Sequence, residues 1–169
     1  MVLAALALAV SVQAADPKGL AEAKAVFERS THDEAARQVY VGKLSAILGE
    51  MVADKMLDRR HHDPAEFDAL FAELKRHPFP KTADAKKLSQ LRAGKWQSPR
   101  HDYLYRANGT WTMLPADPEA TNGRWRIEGN QIIESVHGDT KETRETLIWL
   151  GPKEMVFTDG TSVFYERRL

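Results

Sequence analysis

Residues 102–114, DYLYRANGTWTML, decide how this chain folds. Asn108-Gly109 between two alternating runs is a strong hairpin signal. The loop length follows from the side chains, because slipping the pairing by one residue turns one strand over. A two-residue loop sets Trp111 and Met113 beside Leu104 and Arg106 and mixes the faces. A three-residue loop of Ala107, Asn108 and Gly109, with the glycine in a left-handed bulge, gathers Tyr103, Tyr105, Trp111 and Met113 on one face. The spacing predicts the three-residue loop.

Turn signals recur every eight to twelve residues from Gly94 to the last residue, at 115–123, 129–130, 138–139, 151–152 and 159–160, the mark of an antiparallel meander. About eight short strands are predicted, at 94–98, 102–106, 110–114, 124–128, 131–137, 142–150, 153–158 and 161–168, forming a small up-and-down barrel or half-barrel. At Gly129-Asn130 a two-residue loop puts Trp125, Ile127, Ile132 and Val136 on one face and carries Glu134 inward; a three-residue loop turns in Ile133, Ser135 and His137 instead. The first buries more apolar area and is preferred. Glu134 then needs an Arg or Tyr partner, or water at the barrel mouth, because a buried unpaired carboxylate is costly. The hairpin at Gly151-Pro152 groups Ile148, Leu150, Met155 and Phe157.

Upstream of the meander the period is helical, so the fold class is α+β with a helical hairpin or bundle first. Helices are expected near 17–29, 32–57, 64–76 and 83–92. Their starts carry cap signals: Asp16-Pro17, the box Thr31 with Glu34, and Asp63-Pro64 with Glu66. The second helix bears the widest apolar stripe, with Ala36, Val39, Tyr40, Leu44, Ile47, Leu48, Met51, Val52 and Met56 at three- and four-residue steps. Phe67, Leu70, Phe71 and Leu74 mark the third as its antiparallel partner. Gly42 and Gly49 offer a face for close approach by another helix. Pro78 and Pro80 make an extended linker. The chain thus divides into 1–14, 15–82, a linker helix at 83–93, and the meander 94–169.

Residues 1–14 read as a secretory signal, with an apolar run from Val2 to Val12, small residues at Val12 and Ala14, and no Lys or Arg before the run. The run is too short for a membrane span of about 20 residues, so cleavage and a periplasmic or secreted location without a transmembrane span are expected. There is no cysteine, which removes disulfides and thiolate metal sites. Lys plus Arg and Asp plus Glu both number 24, and neither half departs from balance, so no basic footprint for nucleic acid is present.

Catalytic signatures are missing. There is no Gly-x-Ser-x-Gly elbow, His-Glu-x-x-His or phosphate-cradling glycine loop, so binding rather than catalysis is expected, with no cofactor. His61, His62 and Asp63 are the densest potential ligands, but adjacent histidines diverge and Asp63 caps a helix; an exposed turn without metal is expected. His32 and His77 sit at helix ends, where structural roles suffice. Among the acids Glu134 stands out, since apolar neighbours raise a carboxyl pKa.

Gly94-Lys95-Trp96, the Tyr-x-Tyr and Asn-Gly-Thr hairpin, Trp125-x-Ile127 and the closing Tyr165-Glu166-Arg167-Arg168 resemble bacterial lipocalin-like, calycin-type domains over residues 94–169. The resemblance implies that Trp96 closes one end of the barrel against a basic residue of the last strand, here Arg167 or Arg168. In that family a helix follows the barrel, whereas here helices precede it. Together these readings lead to an exported protein that binds a small apolar or amphipathic molecule on an aromatic inner face. The ligand-facing candidates are Tyr103, Tyr105, Trp111, Trp125, Glu134 and Phe157. The rival expectation is a protein interaction or structural envelope module with a side-chain-filled barrel, self-associating or meeting a partner through Tyr40, Leu44, Ile47, Phe67 and Phe71.

Overall fold

The computed structural model of the chain describes residues 17–57, 59, 61–115 and 121–169. The segment read as a signal and the cap at Asp16 lie outside the described residues. Four helices, α1 (Leu20–Glu28), α2 (Glu34–Met56), α3 (Pro64–Lys75) and α4 (Ala85–Arg92), precede eight strands. These are β1 (Gly94–Gln97), β2 (Asp102–Tyr105), β3 (Thr110–Leu114), β4 (Asn122–Glu128), β5 (Gln131–Val136), β6 (Glu142–Leu150), β7 (Glu154–Thr158) and β8 (Val163–Arg168). The strands pair in sequence order, all antiparallel, and β1 closes on β8 through Trp96 opposite Arg168 and Gln97 opposite Arg167. Among the described residues no helix is long and apolar enough to cross a membrane.

Both glycine turns adopt the expected lengths. Tyr105 pairs with Trp111 and Tyr103 with Met113, Arg106 N–H donates to the Thr110 carbonyl, and Gly109 takes a φ of 79°. Glu128 pairs with Gln131 around Gly129-Asn130, which directs Trp125, Ile132 and Glu134 inward together. The third hairpin differs. A bulge between Leu147 and Trp149 moves Ile148 out of step, so Leu147 joins Leu150, Met155 and Phe157 inside while Ile148 packs towards the helices. The extra residue was invisible in the alternation, since Leu147 and Ile148 are equally apolar.

The helices lie on the outer wall made by β6, β7 and β8. Gly42 and Gly49 allow a close approach, but by barrel aromatics rather than a helix: a Cβ at 42 would meet the Trp149 ring at 3.2 Å and one at 49 the Tyr165 hydroxyl at 2.6 Å. Because α2 touches the barrel on that side, its buried face is Tyr40, Val41, Leu44, Ser45, Leu48 and Met51. Val39 and Met56, expected in the stripe, are exposed. α3 runs antiparallel to α2 and has the full capping box between Asp63 and Glu66. The cap of α2 is Asp33, accepting from Ala36 N–H at 2.8 Å, and Thr31 instead donates its hydroxyl to Asp33. α1 starts after Gly19, with no side-chain cap.

The linker crosses from helices to barrel as an extended strap. Phe79 N–H donates to the Leu147 carbonyl at 2.8 Å, and the Asn130 amide donates to the Phe79 carbonyl at 2.6 Å. α4 then closes one end of the barrel, with Leu88 in the interior cluster and Arg92 reaching further in.

Candidate functional site

Alternation along each strand brings all six expected ligand-facing residues to the inside. Tyr105, Trp111, Trp125 and Phe157 belong to the interior cluster, Tyr103 packs on its rim, and Glu134 stands opposite Trp125. Trp96 is fully buried, donates its indole N–H to the Arg92 carbonyl at 2.6 Å, and carries the Arg168 guanidinium 4.6 Å above its ring. Arg168 is therefore the closing residue; it also donates to the carbonyls of Leu91 and Ala93. Arg167 points out and donates to Gln97.

The interior has little spare room at this closed end. Trp96, Ile132, Leu147 and Met155 expose nothing, and Tyr105, Trp111, Trp125, Ile127, Leu150 and Phe157 at most 7%. Tyr103, Met113, Glu134 and Glu145 are half-buried, and Phe164, stacked on Phe157 at 5.2 Å, is more exposed still. The interior is filled around Trp96 and least covered at Tyr103, Met113, Glu134, Glu145 and Phe164.

Three functional candidates were not found by sequence reasoning, and all are charged. Arg92, fully buried, forms an ion pair with Glu134 and lies 4.0 Å from the centroid of Tyr105 and 5.2 Å from that of Trp125. Glu166, only 4% exposed, accepts from the Tyr105 hydroxyl at 3.4 Å. Glu145 pairs with Ile132 and so faces inward beside Glu134. Alternation along β6 and β8 was a signal for both glutamates. Nothing in α4 singled out Arg92.

One arginine thus faces three glutamates. Burial pushes the Glu166 carboxyl up to about 7; Arg92 pulls it down, while Glu134 and Glu145 push it further up. Burial likewise pushes Glu145 up to about 7, with Glu134 adding to the rise. The Tyr103 hydroxyl is raised by burial and then by Glu166 and Glu134, with Glu145 also contributing, so this ring senses all three carboxylates. Arg92 is held above its ordinary value by Tyr105, Glu134 and Glu166 against the effect of burial. Even so, Arg92 Nε and Nη1 and Glu166 Oε2 have no hydrogen-bond partner.

The helical residues considered for docking are placed differently. Tyr40 and Leu44 are buried within the chain's own core, and Ile47, Phe67 and Phe71 are half-buried against it. A groove of about 600 Å³ runs between the second half of α2 and the β1–β8 seam, lined by Ala46, Val52, Met56, Pro99 and Leu169 among others. His62 is buried rather than exposed, contacting Asp54 at 3.2 Å and Glu66 at 3.0 Å, because it ties the end of α2 to the start of α3. Among the described residues no group of three potential ligands is placed to hold a metal.

Fold and site together define a closed eight-stranded antiparallel barrel with an aromatic, acidic interior, carried on a helical layer. Comparison with protein-family models, curated proteins and solved structures returns no match.

Proposed function

We propose that this is an exported, bacterial lipocalin-like protein that binds a small amphipathic cation at the mouth of its barrel. The observation that carries the reading is the surplus of carboxylates: Glu134, Glu145 and Glu166 share the single guanidinium of Arg92, while Arg168 is committed to backbone carbonyls at the closed end. A buried surplus of like charge costs stability, and proteins keep such arrangements chiefly where they work. A ligand ammonium group supplies the missing positive charge, and an attached chain of a few carbons lies against Tyr103, Met113 and Phe164, where the interior opens. Catalysis plays no part in this reading. Export rests on the leader-like residues 1–14.

The test is a calorimetric titration with a medium-chain alkylammonium, and with the matching alcohol and carboxylate, above and below neutral pH. Binding of the ammonium alone, weakened about tenfold by Glu145→Gln or by acidification below about pH 6, is expected, since one lost pair is worth ~1.4 kcal/mol. Equal binding of all three, or none, ends the proposal. Native mass spectrometry of protein from its own host identifies a copurifying amine directly. The interaction-module reading has less support, because Tyr40 and Leu44 are already covered by the chain's own core.

A further inference from the structure

The barrel wall is incomplete along one edge of β8. This strand pairs with β7 from Val163 to Arg167, but with β1 only at Arg167 and Arg168. β1 goes no further because Ser98 N–H turns back to the His101 carbonyl at 2.8 Å and Pro99 has no N–H to give to a ladder. Among the described residues no strand therefore lies beside Val163–Glu166 on the β1 side.

The two faces of that edge lead to different places. On the inner face stands Phe164, stacked on Phe157 of the interior cluster and still 37% exposed. On the outer face stands Tyr165, which lines the groove of about 600 Å³ between α2 and the β1–β8 seam. The turn after β1 joins the faces: Tyr103, paired with Met113, has the Ser98 side chain at its hydroxyl, and Ser98 and Pro99 both line the groove.

The groove suits an apolar chain rather than a second charge. Val52, Ala53, Met56, Pro99 and Leu169 supply its apolar surface, of which Met56 is 46% and Leu169 55% exposed. Its charged lining balances, Glu50 and Glu154 against Lys153 and Arg167, while Arg168 is held by the carbonyls of Leu91 and Ala93.

We propose that the ligand is a long-chain amine that occupies both places. Its ammonium group sits among Glu134, Glu145 and Glu166, and its chain passes Phe164, rounds the edge of β8 over Ser98 and Pro99, and lies in the groove against Val52, Ala53 and Met56. This rests on the cation reading of the mouth and adds the length of the ligand. From Glu145 on β6 to Phe164 on β8 the way crosses two strand spacings, about 10 Å, so only a chain longer than that reaches the groove.

The test is a series of alkylammonium ions from butyl to dodecyl, each below its micelle concentration, titrated into the full chain by calorimetry and by methyl NMR of the methionines. Met113 reports on the mouth and Met56 on the groove. Butylammonium should shift Met113 alone, and dodecylammonium both, with Met155, fully buried, unmoved. Affinity should keep rising past octyl, by roughly fourfold for each methylene taken out of water. Ala53→Gln with Met56→Gln, both on the uncovered face of α2, should flatten the series past octyl, and Ala53→Gln alone keeps the Met56 methyl as a reporter. If dodecylammonium shifts only Met113 and affinity is flat past octyl, the groove is not part of the site and the inference is overturned, while the cation reading stands. If Met56 responds and Met113 never does, the groove takes chains on its own, and both the inference and the cation reading are overturned.

Discussion

The helical layer and the barrel interior both bury charge, but they treat it in opposite ways. In the helical layer Glu73 is almost completely buried, yet it receives the Tyr40 hydroxyl at 2.9 Å and contacts His77, Lys24 and Arg76 within 3.3 Å. Ser45 likewise donates to Glu154. Among the described residues, every buried side-chain atom without a partner is in the barrel, on Arg92, Trp111, Glu166 or Arg168. One region uses buried polar groups to join its helices to one another and to the barrel wall. The other holds them under-satisfied, which is the mark of a site waiting for something to pair with.

The largest test of this contrast is Arg92→Ala. It leaves Glu134, Glu145 and Glu166 without the cation they share, and breaking a buried pair from one side costs about 3 to 5 kcal/mol. Denaturant unfolding at about pH 8 should show a loss of that size, recovered in part at about pH 5, where Glu145 and Glu166 take up protons. A loss that does not depend on pH would mean that Arg92 acts through packing alone.

A second test sets the two regions against each other. Glu73 has its carboxyl held below the ordinary value by Tyr40, His77 and Lys24 against the effect of burial, so its ion stabilises the fold and that contribution is lost as pH falls through its folded pKa. Glu166 and Glu145 are raised to about 7, so the folded state holds their protons more tightly than the unfolded chain does. Stability must therefore fall as pH rises from the ordinary glutamate value of about 4.5 towards 7. At pH 8 Glu73→Gln should destabilise and Glu166→Gln should stabilise, each by about 1 to 3 kcal/mol. Matching signs would break the comparison. The ligand should reverse the Glu166 effect, since a bound cation lowers the cost of the ionised form.

The smallest expected effect lies in the helical layer's local structure. Asp63→Ala removes half of a capping box and should cost ~1 kcal/mol by denaturant unfolding, with no change in ligand affinity. An effect on binding would show that helices and mouth are coupled through the shared wall at Trp149 and Tyr165.

How far the site was legible in the chain depends on the range of the interactions that build it. Glu134 was legible, because the turn at Gly129-Asn130 and the alternation of its neighbours leave few registers and only one buries Trp125 with Ile132. The choice of Arg168 over Arg167 as the Trp96 partner needed the pairing of β1 with β8. The bulge at Ile148 was hidden, because two adjacent apolar residues fit either face equally well and only the helices packed outside favour one.

The sequence by itself determined the order of helices and strands, most element boundaries and two hairpin registers, since caps, turn glycines and side-chain periods act over a few residues. Tertiary structure alone decided that the sheet closes, that α4 enters one end, and that Arg92 meets Glu134 across 42 residues and the glutamates of β6 and β8 beyond. Charge balance inside a barrel is a property of what closure brings together, and no local pattern encodes it.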